Sequence, residues 1–159
     1  MNNEIKIIDN FLSEEEMDFI QDYLETAKWS IQCSYPGSLE FLMCNVTEVD
    51  YFKNYLFNRI KEELNFDYKL EKVYFNGQWF GRDGSFHKDL CERTCLIYIN
   101  PHDVSWGGFT QIVESENKQE IIPPIQGRLV VFPGNLPHKA YAYSFQECPM
   151  RITLAYKLL

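Results

Sequence analysis

Beyond Phe66 the chain breaks into short apolar or alternating runs, and this pattern constrains its fold more than any other feature. The runs fall at 70–75, 94–100, 109–113, 120–122, 127–132, 139–143 and 151–158. Turn-forming residues separate them: Asn76-Gly77, Asp83-Gly84, Gly107-Gly108, Pro123-Pro124 and Pro133-Gly134-Asn135. Runs this short cannot complete helices. Glycine and proline at the breaks reverse the chain, which predicts antiparallel strands closing into a sandwich or jelly roll.

The first part of the chain reads differently. Residues 4–9 suggest a short strand. Ser13-Glu14-Glu15-Glu16 has the form of a capping box, with Ser13 as N-cap and Glu16 three residues on. Met17, Phe19, Ile20, Tyr23 and Leu24 then recur at helical spacing, which predicts a helix to about Trp29. A second helix is expected over 49–64, with Tyr51, Phe52, Tyr55, Leu56 and Ile60 on its apolar stripe. Residues 30–47 read as irregular around a Pro36-Gly37 turn. The expected architecture is mainly β with flanking helices. A helical N-terminal support, about 10–66, packs on a jelly-roll core, about 67–159, in one domain of 159 residues.

Composition agrees with a packed core: 45% of residues are hydrophobic and 16% aromatic. A formal net charge of -8 argues against a broad nucleic-acid-binding face, which needs clustered Lys and Arg. No apolar stretch is long enough to span a membrane. Met1-Asn2-Asn3-Glu4 opens no basic segment followed by an apolar run, so no secretory leader is expected. The five cysteines are odd in number and form no C-x-x-C pair, which fits reduced thiols in the cytoplasm.

Three histidines occur: His87, His102 and His138. In His87-Lys88-Asp89 an extended backbone presents the imidazole and the carboxylate on one face. His138 follows Pro133-Gly134-Asn135-Leu136-Pro137 at the start of an expected strand. Two histidines and one carboxylate can make a facial triad for iron(II), with coordination positions left open. An H-x-D pair alone is a common accident. The last strand adds a second feature: alternation puts Arg151, Thr153 and Ala155 on one face. An inward Arg needs an anion, from the protein or from a ligand. His102, Cys91 and Cys95 read as structural. Trp79, Phe80, Trp106 and Tyr141 read as core or rim, and Lys88 as facing away from the metal. Arg82 and Asp83, in the loop before His87, are candidate substrate contacts.

Taken in order, these segments resemble a known family. The run Asn76-Gly77-Gln78-Trp79-Phe80-Gly81-Arg82-Asp83-Gly84-Ser85-Phe86-His87-Lys88-Asp89 resembles the approach to the iron site in 2-oxoglutarate/Fe(II)-dependent dioxygenases of the prolyl 4-hydroxylase-like type, the short phage and bacterial forms above all. Leu96 to Asn100, Trp106-Gly107-Gly108-Phe109-Thr110, Gly127 to Phe132 with His138, and Arg151-Ile152-Thr153-Leu154 are similar to that family's later motifs. The resemblance implies a double-stranded β-helix with His87, Asp89 and His138 as metal ligands. It implies Arg151 on the distal carboxylate of 2-oxoglutarate, assisted by Thr153 and Tyr98, with Gln78 also near the co-substrate.

The implied activity is an O2-dependent hydroxylation that releases succinate and CO2. Fe(II) and 2-oxoglutarate take part, ascorbate serves as a supporting reductant, and the substrate is a peptide, a protein or a small molecule. A peptidyl residue such as proline leads. Phe109 departs from the polar residue that many relatives carry, which puts the pocket wall in question. The 138–151 interval is long, which suggests an extended hairpin near 145–149. Two rivals stay open: a cupin-like metalloprotein without 2-oxoglutarate chemistry, and a non-catalytic jelly-roll binding module.

Overall fold

Strand Arg93–Tyr98 shows how the layers form, because neighbouring side chains leave it for different cores. Cys95 and Ile97 point to one apolar cluster, Leu96 and Tyr98 to another. The structure is a computed structural model and describes residues 4–33 and 40–159. Among these, ten strands form two antiparallel sheets. The strands are β1 (Lys6–Ile8), β2 (Ser30–Cys33), β3 (Glu40–Asn45), β4 (Leu70–Gln78), β5 (Arg93–Tyr98), β6 (Thr110–Ser115), β7 (Lys118–Ile122), β8 (Leu129–Pro133), β9 (His138–Ala140) and β10 (Arg151–Leu158). The larger sheet has the order β1-β8-β5-β10-β4-β3-β2 and the smaller one β7-β6-β9. This is the expected jelly roll.

One face of the larger sheet is covered by α1 (Glu14–Glu25) and by α2 (Phe57–Leu64), which continues from π-helical turns at Tyr51–Leu56. Ile20, Phe52, Leu56 and Ile60 are fully buried against Val73, Phe75, Ile97, Leu154 and Tyr156. Each such apolar side chain contributes about 1.5–3 kcal/mol on leaving water. The other face meets the smaller sheet through Leu96, Tyr98, Val130, Phe132 and Ala155, which pack on Ile112 and Ile122. Central strands buried on both faces read as nearly continuous apolar runs, which explains 127–132 and 151–158.

The capping box forms as expected. Ser13 Oγ accepts from Glu16 N at 3.2 Å, and Glu16 Oε2 accepts from Ser13 N at 2.8 Å. Helix α1 ends at Glu25, before Trp29.

The N-terminal part is less helical than expected. Residues 30–33 and 40–45 are strands, and they extend the larger sheet beyond β4. Polar residues alternate weakly in both, as on a sheet edge, so periodicity could not distinguish them from loop. The Pro36-Gly37 turn lies outside the described residues. The interval before Arg151 contains a turn, with Cys148 N bonded to Phe145 O at 3.2 Å, and no strand pair forms there.

Candidate metal centre and anion pocket

His87 and His138 come from different parts of the chain and meet as an isolated antiparallel bridge. His87 N donates to His138 O at 3.1 Å and His138 N donates to His87 O at 2.9 Å. Their ring centroids are 4.3 Å apart. Each ring is oriented by a carbonyl two residues earlier in the chain: His87 Nδ1 donates to Ser85 O and His138 Nδ1 to Leu136 O, both at 2.9 Å. A carbonyl only accepts, so the proton sits on Nδ1 and Nε2 is the atom turned inward.

Asp89 completes the group. Its N–H is held by Gly134 O at 2.8 Å, which ties the His87 loop to the turn before His138. Its carboxylate lies 3.9 Å from His87 Nε2 and 3.4 Å from His138 Nε2. One donor atom from each of the three residues lies within 4.8 Å of the others. Thr94 Oγ1 donates to Asp89 Oδ2 at 2.5 Å, and Lys157 Nζ bonds the same oxygen.

Burial pushes the Asp89 carboxyl up, but the hydrogen bond from His138 and the Lys157 charge outweigh it and hold the carboxyl well below its usual range. Burial, the neighbouring His138 charge and Lys157 push His87 down, so its imidazole favours the neutral form that a metal needs.

A cavity of about 230 Å³ opens beside this cluster. His87, Asp89, His138, Asn76, Gln78, Thr110, Arg151, Thr153 and Lys157 are among its walls. Strands β4 and β10 form one side: Arg151 pairs with Gln78 and Thr153 with Asn76. Arg151 is 1% exposed, and its partners are neutral. Its Nε donates to Gly108 O at 2.6 Å, one terminal nitrogen to Gln78 Oε1 and the other to Thr110 Oγ1, both at 3.0 Å. The Tyr98 ring lies under the guanidinium at 5.4 Å, and Tyr98 OH donates to Thr110 Oγ1 at 2.8 Å. Among the described residues no carboxylate pairs with Arg151. Burial therefore lowers its affinity for a proton, opposed by the nearby Tyr98 and Tyr143. A buried guanidinium with only neutral partners can take up an anion.

The other candidates separate clearly. Thr153 is buried on the cavity wall. Tyr98 supports Arg151 through Thr110 and is not itself a wall residue. Gln78 uses its amide on the protein: Oε1 accepts from Arg151, while Nε2 donates to Arg82 O at 3.0 Å and to Ala140 O at 3.3 Å. Phe109 packs on Tyr141 at 4.4 Å and Thr110 takes the wall, so the departure at Phe109 does not alter the lining. Lys88, Trp79 and Phe80 are exposed, and Cys95 lies in the core.

Three contributors were missed by sequence reasoning: Lys157, Thr94 and Thr110. Lys157 shares strand parity with Arg151, and that was the available signal. The two threonines carry no comparable mark.

No protein-family model matches the chain, and no curated protein matches it by sequence. Solved structures do match. An oxidoreductase of the 2OG-Fe(II) oxygenase family from Burkholderia pseudomallei superimposes with a TM-score of 0.79 at 10% identity, over 97% of this chain and 84% of that one. A prolyl hydroxylase from Trichoplax adhaerens, in complex with a hypoxia-inducible-factor peptide fragment, gives 0.72 at 20% identity, over 99% and 84%. A prolyl-4-hydroxylase from Pseudomonas putida gives 0.72 at 14% identity, over 98% and 92%. The chain thus has the double-stranded β-helix fold found in 2OG-Fe(II) oxygenases, prolyl hydroxylases among them.

Proposed function

We propose that this chain is a 2-oxoglutarate- and O2-dependent dioxygenase, with His87, Asp89 and His138 as its iron(II) ligands and Arg151 as the anchor for 2-oxoglutarate. One observation carries the reading: a single cavity holds both the His-Asp-His cluster and a buried guanidinium whose partners are all neutral. A metalloprotein without an anionic co-substrate has no use for the second feature, which favours this reading over the cupin-like one.

The donor set fits the metal. Two imidazole Nε2 atoms and one carboxylate approach from one side, which suits iron(II) with open positions. Bound iron, with 2-oxoglutarate and O2, supplies the oxidation that releases succinate and CO2. The protein orients the reactants and shields the site. Arg151 takes the distal carboxylate through its guanidinium, with Thr153 beside it on the same wall. Gly108 O, Gln78 and Thr110 fix the guanidinium plane before the co-substrate arrives, so little side-chain freedom is lost on binding. Tyr98 holds the Thr110 hydroxyl in place.

The substrate is a peptidyl residue such as proline. Two points support this: one structurally similar protein is a prolyl hydroxylase in complex with a peptide, and Trp79, Phe80 and Phe86 stand half-exposed on the loop that leads to His87, where an apolar substrate can rest. Arg82 and Asp83 line the cavity between them. The five cysteines are all free, in keeping with a reducing cytoplasm, and ascorbate is the fitting supporting reductant. No helix among the described residues is long and apolar enough to cross a membrane.

The test is succinate release from 2-oxoglutarate with Fe(II) and O2. The wild type should form succinate and His138→Ala should not. Full succinate formation by His138→Ala with iron retained overturns the ligand assignment.

A further inference from the structure

Lys157 stands against the metal cluster with no role in the reading above. It lies on β10, six residues beyond Arg151 and on the same inward face. Its side chain is 12% exposed, as is that of Asp89. The ammonium bonds Asp89 Oδ2, reaches Thr94 Oγ1 at 3.4 Å and lies 5.9 Å from the Tyr74 ring. Thr94 Oγ1 donates to the same carboxylate oxygen. Oδ2, which also lies 3.4 Å from His138 Nε2, is thus bonded by two donors from the protein.

This contact changes the charge of the site. Two neutral imidazoles and one carboxylate carry a formal charge of −1, which attracts a divalent cation. With Lys157 on the carboxylate the group sums to zero. A cation must then share the single carboxylate with an ammonium held close to it, because β10 is a central strand and the Lys157 side chain is only 12% exposed. Like charges at this range in a low-dielectric pocket repel strongly. A dianion entering beside the metal removes that excess positive charge, and the Arg151 charge at the other wall adds to its attraction.

We infer that Lys157 is a charge-compensating positioning residue that makes metal binding depend on the anionic co-substrate: it holds Asp89 in one orientation, weakens the bare site for divalent metal, and is compensated when 2-oxoglutarate arrives. The inference rests on the proposed ligand set. By linkage, the factor by which the co-substrate tightens metal equals the factor by which metal tightens the co-substrate. Metal thus enters firmly only in company with the co-substrate, which keeps iron out of a site that holds no 2-oxoglutarate.

The experiment measures Mn(II) affinity by titration, alone and with saturating N-oxalylglycine, an unreactive analogue of 2-oxoglutarate. It uses the wild type, Lys157→Met, Lys157→Gln, Thr94→Val and Arg151→Met. In the wild type the analogue should tighten Mn(II) by about 20-fold or more, within the usual span of coupling. Lys157→Met and Lys157→Gln should bind Mn(II) alone about 5- to 10-fold more tightly than the wild type, and the tightening by the analogue should shrink by a similar factor. Thr94→Val removes a donor to Asp89 but no charge, so its coupling should fall by less than that of the Lys157 variants. Arg151→Met should lose the effect of the analogue.

Weaker or unchanged Mn(II) binding in both Lys157 variants overturns the inference, since a lysine that merely holds Asp89 gives that result. If the Lys157 variants do not fold, a wild-type coupling near one overturns it. Wild-type protein that binds no Mn(II) under either condition overturns the ligand assignment as well, so the two failures are distinguishable.

Discussion

The main chains of His87 and His138 bond each other in both directions, at 3.1 and 2.9 Å. The two imidazoles are thereby brought together by backbone, and the frame does not depend on either side chain. His138→Ala should therefore keep the bridge and lose only a ligand. We expect its apparent Mn(II) affinity to fall by ~100-fold or more, beyond the usual cost of losing a supporting group. Its melting temperature without metal should stay within a few degrees of the wild type. Thermal melts with and without Mn(II) check both points.

Arg151 is expected to trade stability for binding. It is a buried charge with neutral partners, so its loss removes a desolvation cost that offsets the acceptors Gly108 O, Gln78 Oε1 and Thr110 Oγ1 left without their donor. Arg151→Met should show an unchanged or higher urea midpoint. Its affinity for N-oxalylglycine in the presence of Mn(II) should fall about 100-fold, which is ~2.7 kcal/mol. A lower midpoint with unchanged analogue binding would show that the guanidinium serves the fold.

Much of this site was legible because its chemistry is carried by rare residue types at distinctive spacings. His87, Asp89 and His138 stand out in a chain with three histidines, and the parity of the last strand put Arg151 inward. The jelly-roll core was legible because strands buried on both faces must be apolar throughout. Residues 30–33 and 40–45 were not legible as strands: they form the outer edge of the sheet, where burial is slight and the alternation that marks a strand is weak. Lys157 was missed for a different reason. A lysine near a chain end reads as solvated by default, and only the fold brings it to Asp89. Gln78 is expected near the co-substrate; it lines the cavity, with its amide bonded to Arg151, Arg82 and Ala140.

Gly108 links the double-glycine turn to the anion pocket. Its φ is +75°, and a Cβ there would lie 2.4 Å from Tyr143 Cδ1. Its carbonyl is the acceptor for Arg151 Nε. Gly108→Ala should destabilise the protein by about 1–3 kcal/mol through backbone strain and the clash. It should also weaken N-oxalylglycine binding about tenfold by tilting the guanidinium, while Mn(II) affinity alone stays near that of the wild type. Chemical denaturation and the two titrations separate these effects.

Glu16 ties α1 to α2 at the side of the molecule away from the cavity. It is 7% exposed and pairs with Arg59, while Tyr55 OH donates to its other oxygen at 3.0 Å. Arg59 also donates to Phe11 O at 2.9 Å, so one carboxylate organises both helices and the turn before α1. Burial raises the Glu16 carboxyl, but the bonds from Arg59, Ser13 and Tyr55 outweigh it and hold it below the ordinary 4.5. A carboxyl lowered by folding stabilises the protein above its unfolded value, and that contribution is lost as pH falls through 4.5 toward its folded value. Glu16→Gln keeps an oxygen for Ser13 N but loses the charge. It should cost about 1–3 kcal/mol at pH 7, the scale of hydrogen bonds to a charged group. The gap between the two proteins should stay constant from pH 7 down to about pH 5 and then close as the wild-type carboxylate takes up its proton. Urea midpoints across that range check the sign, and a gap that widened in acid would contradict it.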